Sequence, residues 1–389
     1  MIRRLVSNVD DPIRCLFLAA SSGDAAIERE GLQLIHQIGR DGIVAEVGVL
    51  HESSQAMAEF SDSMPIHSQI LADKNDLSVW RRLPKMLSDG RYEAVVTIGG
   101  GAETFWGRLG ALRCELPVVM SYVRCNSDIN WGNALQEMLA SGTDRFLCES
   151  PAIAATVEAR FAIPVSRVET LSLGVDTENH RPHTAERAEM RYAMGLPSSV
   201  SACGFVVRPD AIDGLKYMFE ASRWTISQAT DFRLVLLGVP QTDVPKVEQQ
   251  IAERRLSERV IVRPEAGDTD MALSLLDVYV VNPFHINPRT EVLRAMASSL
   301  PIALCFDSHA EDLVIDGVSG WKHDAIEEAA AESWAQSCAS VQRRRQFGRV
   351  GRELAASRWS ISASARGLGD LIRDIRDAKK DRYLPNCGQ

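Results

Sequence analysis

The 389-residue sequence lacks the cysteine and histidine spacings that build disulfide frameworks and zinc sites. Its eight cysteines stand singly without a C-x-x-C pair, and its eight histidines include no H-x-x-x-H spacing. Scattered cysteines of this kind are typical of reduced, mostly buried thiols in a cytoplasmic protein. We therefore expect a cytoplasmic protein without a metal site or disulfide bonds.

Long apolar runs and an excess of positive charge are also missing. No run reaches the roughly 18 apolar residues that a membrane-spanning helix needs. The segment Met1–Arg14 has three arginines and two aspartates and no apolar core of the kind found in a signal peptide. The net charge of −9 argues against a protein that coats nucleic acid or an anionic bilayer. We expect no nucleic acid partner and no transmembrane segment, while peripheral contact with a membrane stays open.

The residues that are present indicate a soluble globular chain of two domains. Hydrophobic residues make up 45% of the sequence and charged residues 24%. A chain of this length exceeds what one ordinary hydrophobic core accommodates. The first elements are clear, because an apolar strand at Ile13–Ala19 is followed by a helical pattern from Ala25 to Ile38.

The segment Val280–Gly320 predicts a ligand-binding edge of a parallel sheet. A buried strand at Leu276–Val281 leads to a helix for which Asn287 is the expected N-cap. A second strand begins at Ile302, after Pro301 has ended the helix. This order places a helix N-terminus at the carboxyl edge of a sheet, where free backbone N–H groups favour a phosphate.

A second glycine-rich loop follows the predicted strand Tyr92–Ile98. Gly99, Gly100 and Gly101 separate this strand from an apolar helix, which predicts backbone N–H groups open to an anion or a sugar hydroxyl. The loop has neither the G-x-G-x-x-G spacing of a dinucleotide site nor the lysine of a P-loop. NAD and ATP chemistry are therefore not supported.

Several short motifs resemble one known family. In order, the donor-side motifs read NPF (Asn282–Phe284), RAMASSLPIAL (Arg294–Leu304), AEDLV (Ala310–Val314) and DGVSG (Asp316–Gly320). Upstream, LSLGVDTENHRP (Leu171–Pro182) is similar to the line PNGVD-x-x-x-F-x-P of the same family. The chain thus resembles the retaining glycosyltransferases of family 4, also called group 1, which have the GT-B fold.

The resemblance implies an α/β protein with two doubly wound Rossmann-like domains that face each other across a cleft. It places an acceptor-side domain at 1–182, with a C-terminal crossing helix at 360–389 packing back on it, and a nucleotide-sugar-binding domain at 183–359. It further implies a nucleotide sugar of the UDP or GDP type as substrate, without a separate cofactor or metal. The acceptor would be a glycan, a lipid or a small molecule.

The same resemblance implies the site residues. Fixed cations at Arg208 and Arg289 would hold the donor diphosphate, because they offset the charge that builds on the leaving nucleotide. The other donor-binding candidates are Thr290, Glu291, Arg294, Ser308, His309 and Glu311. The acceptor-binding candidates are Gly23, Gly99, Gly100, Gly101 and Arg124.

The sequence departs from the family pattern at four positions. Ile286 and Arg294 stand where the family has two glutamates, and Asp213 and Val123 stand where it has a lysine and a histidine. These replacements keep a second hypothesis open, in which the chain is a catalytically impaired GT-B protein that acts as a binding or partner subunit. A third reading is a sugar-nucleotide epimerase or hydrolase of the same shape.

Overall fold

The computed structural model describes residues 12–19, 25–39, 42–50, 54–71, 76–129, 134–208, 212, 214–264, 269–285, 287–306 and 309–383. Gly23, Asp213, Ile286 and Ser308 lie outside these residues. The chain divides into unit 1, formed by Met1–Gly174 and Ile361–Gln389, and unit 2, formed by Val175–Ser360. The first division lies at residue 174, eight residues before the position that the sequence motifs suggested.

Unit 1 is built on a parallel sheet in which the described residues form seven strands, in the order β3-β2-β1-β4-β5-β6-β7. The strands are β1 (Ile13–Ala19), β2 (Ile43–Val49), β3 (Ile66–His67), β4 (Ala94–Ile98), β5 (Val118–Val123), β6 (Arg145–Cys148) and β7 (Val168–Thr170). The helices are α1 (Ala25–Ile38), α2 (Gln55–Phe60), α3 (Val79–Asp89), α4 (Ala102–Arg113), α5 (Asn126–Ile129), α6 (Ala134–Ser141), α7 (Pro151–Phe161) and the last helix of the chain, α15 (Ile361–Tyr383), which packs on α1.

Unit 2 repeats this architecture with six parallel strands among its described residues, in the order β10-β9-β8-β11-β12-β13. They are β8 (Ser201–Val206), β9 (Phe232–Val239), β10 (Val260–Pro264), β11 (Val278–Val280), β12 (Ile302–Cys305) and β13 (Gly320–His323). The helices are α8 (Thr184–Ala193), α9 (Leu215–Gln228), α10 (Val244–Glu253), α11 (Thr269–Leu273), α12 (Arg289–Ala297), α13 (Glu327–Cys338) and α14 (Val341–Arg358).

Each sheet has a point where the order of its strands reverses. In unit 1 the reversal lies between β1 and β4, and in unit 2 between β8 and β11. The central strands are buried on both faces, as the apolar runs in the sequence predict. Ligands of open α/β sheets bind beyond the carboxyl ends of the strands at such a reversal. The fold therefore predicts that a ligand would bind at the loops after β8 and β11 in unit 2, or at the loop after β4 in unit 1.

A buried carboxylate, that of Glu46, bonds to three side chains beside the sheet of unit 1. Glu46 on β2 accepts hydrogen bonds from the Tyr92 hydroxyl at 2.6 Å and from His67 Nε2 at 2.7 Å, and it pairs with Arg14. Burial alone would raise the pKa of Glu46, but the donors of His67, Tyr92 and Arg14 outweigh it and hold this pKa below its ordinary value.

We expect Glu46→Gln to destabilise unit 1 by about 2 kcal/mol at neutral pH, because it weakens several hydrogen bonds to a buried charge. A pKa that is lowered on folding adds stability above the ordinary glutamate pKa and loses it as the pH falls toward the folded value. The gap in melting temperature between the parent and Glu46→Gln should thus narrow below about pH 4.5. Exposed Glu59, paired with Arg29, supplies the control Glu59→Gln, which should change little. A gap that widens on acidification would contradict this account.

Candidate functional site

Two helix N-termini lie together at the strand reversal of unit 2. Helix α9 follows β8 after the N-cap Gly214, and α12 follows β11 and begins at Arg289. A Cβ atom at Gly214 would lie 2.8 Å from the side-chain amide of Asn282, so α9 starts in contact with the loop after β11. The positive ends of two helix dipoles therefore reach the same edge of the sheet.

The start of α12 differs from the sequence-based expectation by one residue. Pro288, and not Asn287, is the N-cap. Asn287 still serves the helix, since its Oδ1 accepts a hydrogen bond from the backbone N–H of Arg289 at 3.4 Å. Proline has no N–H of its own, which suits a position before the first helical turn.

Arg208 lies directly beyond β8 and is held by a carboxylate of α12. Its Nε lies 3.3 Å from Glu291 Oε1, and the two side chains are 19% and 3% exposed. Glu291 thus faces Arg208 from the first turn of α12 and orients its guanidinium at the helix N-terminus. This contact gives Glu291 a positioning role beside the donor-sugar role that the sequence suggested.

Tyr279 is buried on β11, next to the end of β8 that precedes Arg208. Its hydroxyl accepts a hydrogen bond from the backbone N–H of Val206 at 3.4 Å. Burial raises the pKa of Tyr279, the Glu291 carboxylate raises it further, and Arg208 and Arg294 oppose the shift. Three charged groups that the sequence singled out, Arg208, Glu291 and Arg294, therefore act on the pKa of this buried phenol.

Arg289 does not face an open site, which corrects the expectation that it completes the diphosphate clamp. Its side chain is 1% exposed and forms an ion pair with Asp312. Its guanidinium also donates to the carbonyl oxygen of His309 at 3.0 Å. Burial, and then the nearby Arg289, lower the pKa of His309. Arg289 thus ties the loop before Asp312 to the N-terminus of α12.

The remaining donor-binding candidates differ in their burial and in their contacts. Thr290 is buried in the first turn of α12, and Arg294 is half-buried one turn later. Glu311 lies in the short 3-10 helix Glu311–Leu313, and its Oε1 is 3.4 Å from Lys322 Nζ. Ser308 lies outside the described residues. The structure therefore gathers Arg208, Thr290, Glu291 and Arg294 at one edge.

The glycine loop of unit 1 is more occupied than the sequence predicts. The N–H of Gly99 donates to the carbonyl of Tyr122, and the N–H of Gly101 donates to Glu103 Oε1 at 2.7 Å. A Cβ atom at Gly100 would lie 1.9 Å from the backbone oxygen of Asp128. The expectation of open N–H groups is therefore wrong for Gly99 and Gly101, and close packing explains the glycine at position 100.

The carboxylate of Glu103 accepts the hydrogen bond from the N–H of Gly101 that an external anion was expected to accept. It is buried at the start of α4, and burial raises the pKa of its carboxyl group, opposed by the N–H groups of Glu103 and Gly101. Burial alone would lower the pKa of Arg124, but Asp128 outweighs that effect and raises it. Arg124 lies near this corner, with its Nε 3.2 Å from Asp128 Oδ2.

A small apolar pocket opens beside Arg124. It holds about 40 Å³ and is lined by Glu28, Ile98, Met57 and other residues of unit 1. This is far below the roughly 300–1,000 Å³ of ordinary ligand pockets. Gly23, a further acceptor candidate, lies outside the described residues. The acceptor roles of Gly23, the three loop glycines and Arg124 stay predictions.

Sequence reasoning missed the partners of the expected cations. Asp312, Tyr279 and Asn282 form contacts at this edge of the unit 2 sheet. Of these three residues only Asp312, in the motif AEDLV, carries a charge from which an ion pair with an arginine could have been predicted. Among the described residues no cluster of three His, Cys, Asp or Glu side chains is arranged to hold a metal ion. No helix in the part of the chain that the structure describes is long and apolar enough to cross a membrane.

The match to a family model lies within unit 2, whereas the match to a curated relative covers more of the chain than unit 2. Residues 199–343 match the family model of the glycosyl transferases, group 1. A D-inositol 3-phosphate glycosyltransferase of Corynebacterium urealyticum is 23% identical in an alignment of 250 residues that covers 62% of this chain. The match spans only 59% of that relative's length.

The comparison of folds covers nearly the whole chain. A glycosyltransferase from Rickettsia africae ESF-5 superposes with a TM-score of 0.79 at 12% identity, over 94% of this chain and 99% of the other. Anabaena Alr3699/HepE in complex with UDP gives a TM-score of 0.74 at 15% identity, over 93% and 100% of the two chains. HepE is also known in complex with UDP-glucose. The chain therefore has the GT-B fold, and within unit 2 it matches the group 1 glycosyl transferases over residues 199–343.

Proposed function

We propose that the protein is a retaining, hexosyltransferase-like enzyme that moves a sugar from a nucleotide-diphosphate donor to a hydroxyl of a glycan, a lipid or a small molecule. One observation carries the proposal. Arg208 lies at the strand reversal of unit 2, where α9 and α12 both begin, and this is the unit that matches the family model. A cation beside two helix N-termini is a favourable place for a diphosphate.

The proposed chemistry rests on charge stabilisation. Negative charge grows on the diphosphate as the sugar leaves, and fixed donors that face this charge lower the barrier. Arg208 would donate to the diphosphate, with the backbone N–H groups at the start of α12 beside it. Glu291 would keep Arg208 in place, and Arg289 would hold the loop at His309 through Asp312.

Retention in this proposal needs no protein nucleophile. The leaving phosphate would assist the acceptor hydroxyl on the face of the sugar that it leaves, as the family resemblance implies. The nucleotide sugar, of the UDP or GDP type, is the substrate, and no other cofactor takes part in this scheme. Activity that survives EDTA and yields a product with the donor's anomeric configuration, followed by NMR, would support it. An inverted product would overturn retention.

Titration with UDP, GDP and ADP tests the donor site directly. At a hundred times its dissociation constant, one nucleotide should stabilise the native protein by about 2.7 kcal/mol. For a folding unit of this size that corresponds to a rise in melting temperature of roughly 5–10 °C. A rise with one nucleotide would support transfer from that donor type. No rise with any of the three would favour the hypothesis of a binding or partner subunit.

A further inference from the structure

The outer surface of unit 1 has a group of exposed apolar side chains around helix α3. Leu77, which is 75% exposed, and Trp80 lie at the start of this helix. Leu112 is exposed near the end of α4, and Met138 on α6 is 70% exposed. Large apolar side chains that are exposed singly are normal, but four on neighbouring helices indicate a surface that contacts something apolar.

Contacts between α3, α4 and α6 show that these side chains are neighbours. The Arg113 guanidinium lies over the ring of Trp80, 4.4 Å from its centroid, and joins the end of α4 to the start of α3. A Cβ atom at Gly142 would lie 2.8 Å from Leu112 Cδ2, so the side chain of Leu112 reaches the turn after α6. Met138 lies four residues before Gly142, which is about one helical turn. The apolar side chains therefore follow one series of contacts from α3 across α4 to α6.

Helix α3 adds positive charge to this surface. Arg81 and Lys85 are exposed and lie one turn apart, whereas the buried residues of the helix are Val79, Leu83, Pro84 and Leu87. The segment 77–91 contains four arginine or lysine residues and one carboxylate, although the whole chain has a net charge of −9. The charge of this segment is therefore opposite in sign to that of the chain.

The cations of α3 are only partly neutralised. Arg82 forms an ion pair with Asp76, but Arg81 and Lys85 form none with the residues that the structure describes. The first turn of α3 contains no acidic residue, and its N-cap Ser78 forms no side-chain hydrogen bond to the helix. Arginine in a first turn opposes the helix dipole and so lowers the stability of the free protein. Departures from such a local rule are expected where a segment serves a function.

We propose that this surface, which we call the α3 surface and which consists of Leu77, Trp80, Arg81, Lys85, Leu112 and Met138, binds an anionic lipid bilayer. Tryptophan and leucine beside arginine and lysine are typical of segments that lie among lipid headgroups. Anionic headgroups attract the unpaired cations of α3. The most exposed apolar side chains project outward instead of lining a recess, which suits insertion between lipids.

Co-sedimentation of the full chain with lipid vesicles tests the proposal. Vesicles of phosphatidylcholine with about 30% phosphatidylserine should bind the protein at least tenfold more tightly than pure phosphatidylcholine, and about 0.5 M NaCl should reverse most of this preference. Arg81→Gln combined with Lys85→Gln should weaken binding by about 25-fold, since each cation near an anionic surface contributes about fivefold. Leu77→Ser should weaken it by about tenfold, because it removes an apolar side chain that lipids would cover.

Matched variants on unit 2 show whether the effect belongs to the α3 surface. Arg343→Gln combined with Arg345→Gln removes the same charge from exposed positions on α14, and it should leave binding within about twofold. Trp80→Ala should weaken binding, whereas Trp224→Ala, which removes an exposed tryptophan from α9, should not. All the replaced side chains are exposed, so the melting temperatures of the variants should stay close to that of the parent protein.

Three results would overturn the proposal: no binding to either kind of vesicle, equal binding to both, or equal losses from the α3 and the α14 variants. Light scattering in solution tests the other apolar occupant, a second copy of the chain. We expect Leu77→Ser to leave the molar mass unchanged. A dimer that Leu77→Ser converts to a monomer would assign the α3 surface to self-association, and the bilayer proposal would then fail.

Discussion

Replacement of Arg208 by alanine is expected to abolish the rise in melting temperature that a nucleotide diphosphate causes, and to lower transferase activity by about 10²–10³-fold. Arg208 is a cation at the point where α9 and α12 begin, and hydrogen bonds to charged groups contribute about 1.5–3 kcal/mol. The loss should be larger in kcat than in substrate binding if the contact strengthens as the diphosphate leaves.

The variant also leaves the Glu291 carboxylate buried without its partner, which could unfold unit 2 and mimic a binding defect. Glu291 is 3% exposed, and an unpaired buried charge is costly. The double variant Arg208→Gln with Glu291→Gln removes both charges and should restore the melting temperature without ligand. It should still fail to respond to nucleotide, whereas Glu291→Gln alone should keep a reduced response.

A matched arginine on α9 checks that the effect is specific. Arg223 is 57% exposed and pairs with Glu220 on the helix surface, so Arg223→Ala should leave both nucleotide response and activity within about twofold. A nucleotide response in Arg208→Ala as large as in the parent protein would place the diphosphate elsewhere. The proposed function would then lose the observation on which it rests.

The strands and helices could be predicted from the sequence because the pattern of apolar and polar residues within a segment largely determines its secondary structure. The apolar run at Ile13–Ala19 is strand β1 and the periodic run at Ala25–Ile38 is helix α1, with the predicted bounds in both cases. The GT-B fold was predicted from motifs, and the comparisons of fold confirm it. Strand β11 is shorter than expected, Val278–Val280 in place of 276–281, although the backbone N–H groups of Asp277 and Val281 still donate to the neighbouring strands or their flanking residues.

The site was harder to predict because its electrostatics depend on contacts between distant residues. Arg289 and Asp312 are 23 positions apart, and only the folded chain shows that the two charges meet. Arg208 and Glu291 are 83 positions apart, with the three strands β9, β10 and β11 between them in the sequence, and their contact too is formed only in the folded chain. Motif spacing identifies which cations belong to an edge of a sheet. It does not tell which of them a carboxylate has already engaged.

Glycines illustrate the same limit. A run such as Gly99–Gly101 permits an anion site or a close packing contact, and the sequence does not distinguish the two. In the structure Glu103 lies against Gly99 and Gly101, and Asp128 lies against Gly100, so close packing accounts for these glycines, while their acceptor role stays a prediction. The same reasoning applies to the two glycines of α14, which look alike in the sequence and have opposite surroundings.

We expect Gly348→Ala to destabilise unit 2 by about 3 kcal/mol, although alanine is the better helix former. A Cβ atom at Gly348 would lie 2.0 Å from the backbone oxygen of Ser299, at the turn that links α12 to β12. Ser299 has a φ of 61°, and its N–H donates to the carbonyl of Met296, so this turn has little freedom to move aside. Helix α14 would have to separate from α12 and lose buried contacts.

Gly351→Ala, one turn along the same helix, should stabilise unit 2, which is the opposite of the effect expected for Gly348→Ala. The nearest atom to its Cβ would be Met296 Cγ at 3.7 Å, which is an ordinary van der Waals contact. The variant should therefore gain about 0.5–1 kcal/mol from helix propensity and the reduced freedom of the unfolded chain. Urea unfolding of the two variants measures both changes against the parent. Equal effects from Gly348→Ala and Gly351→Ala would mean that α14 does not approach the Ser299 turn as closely as the packing of unit 2 requires.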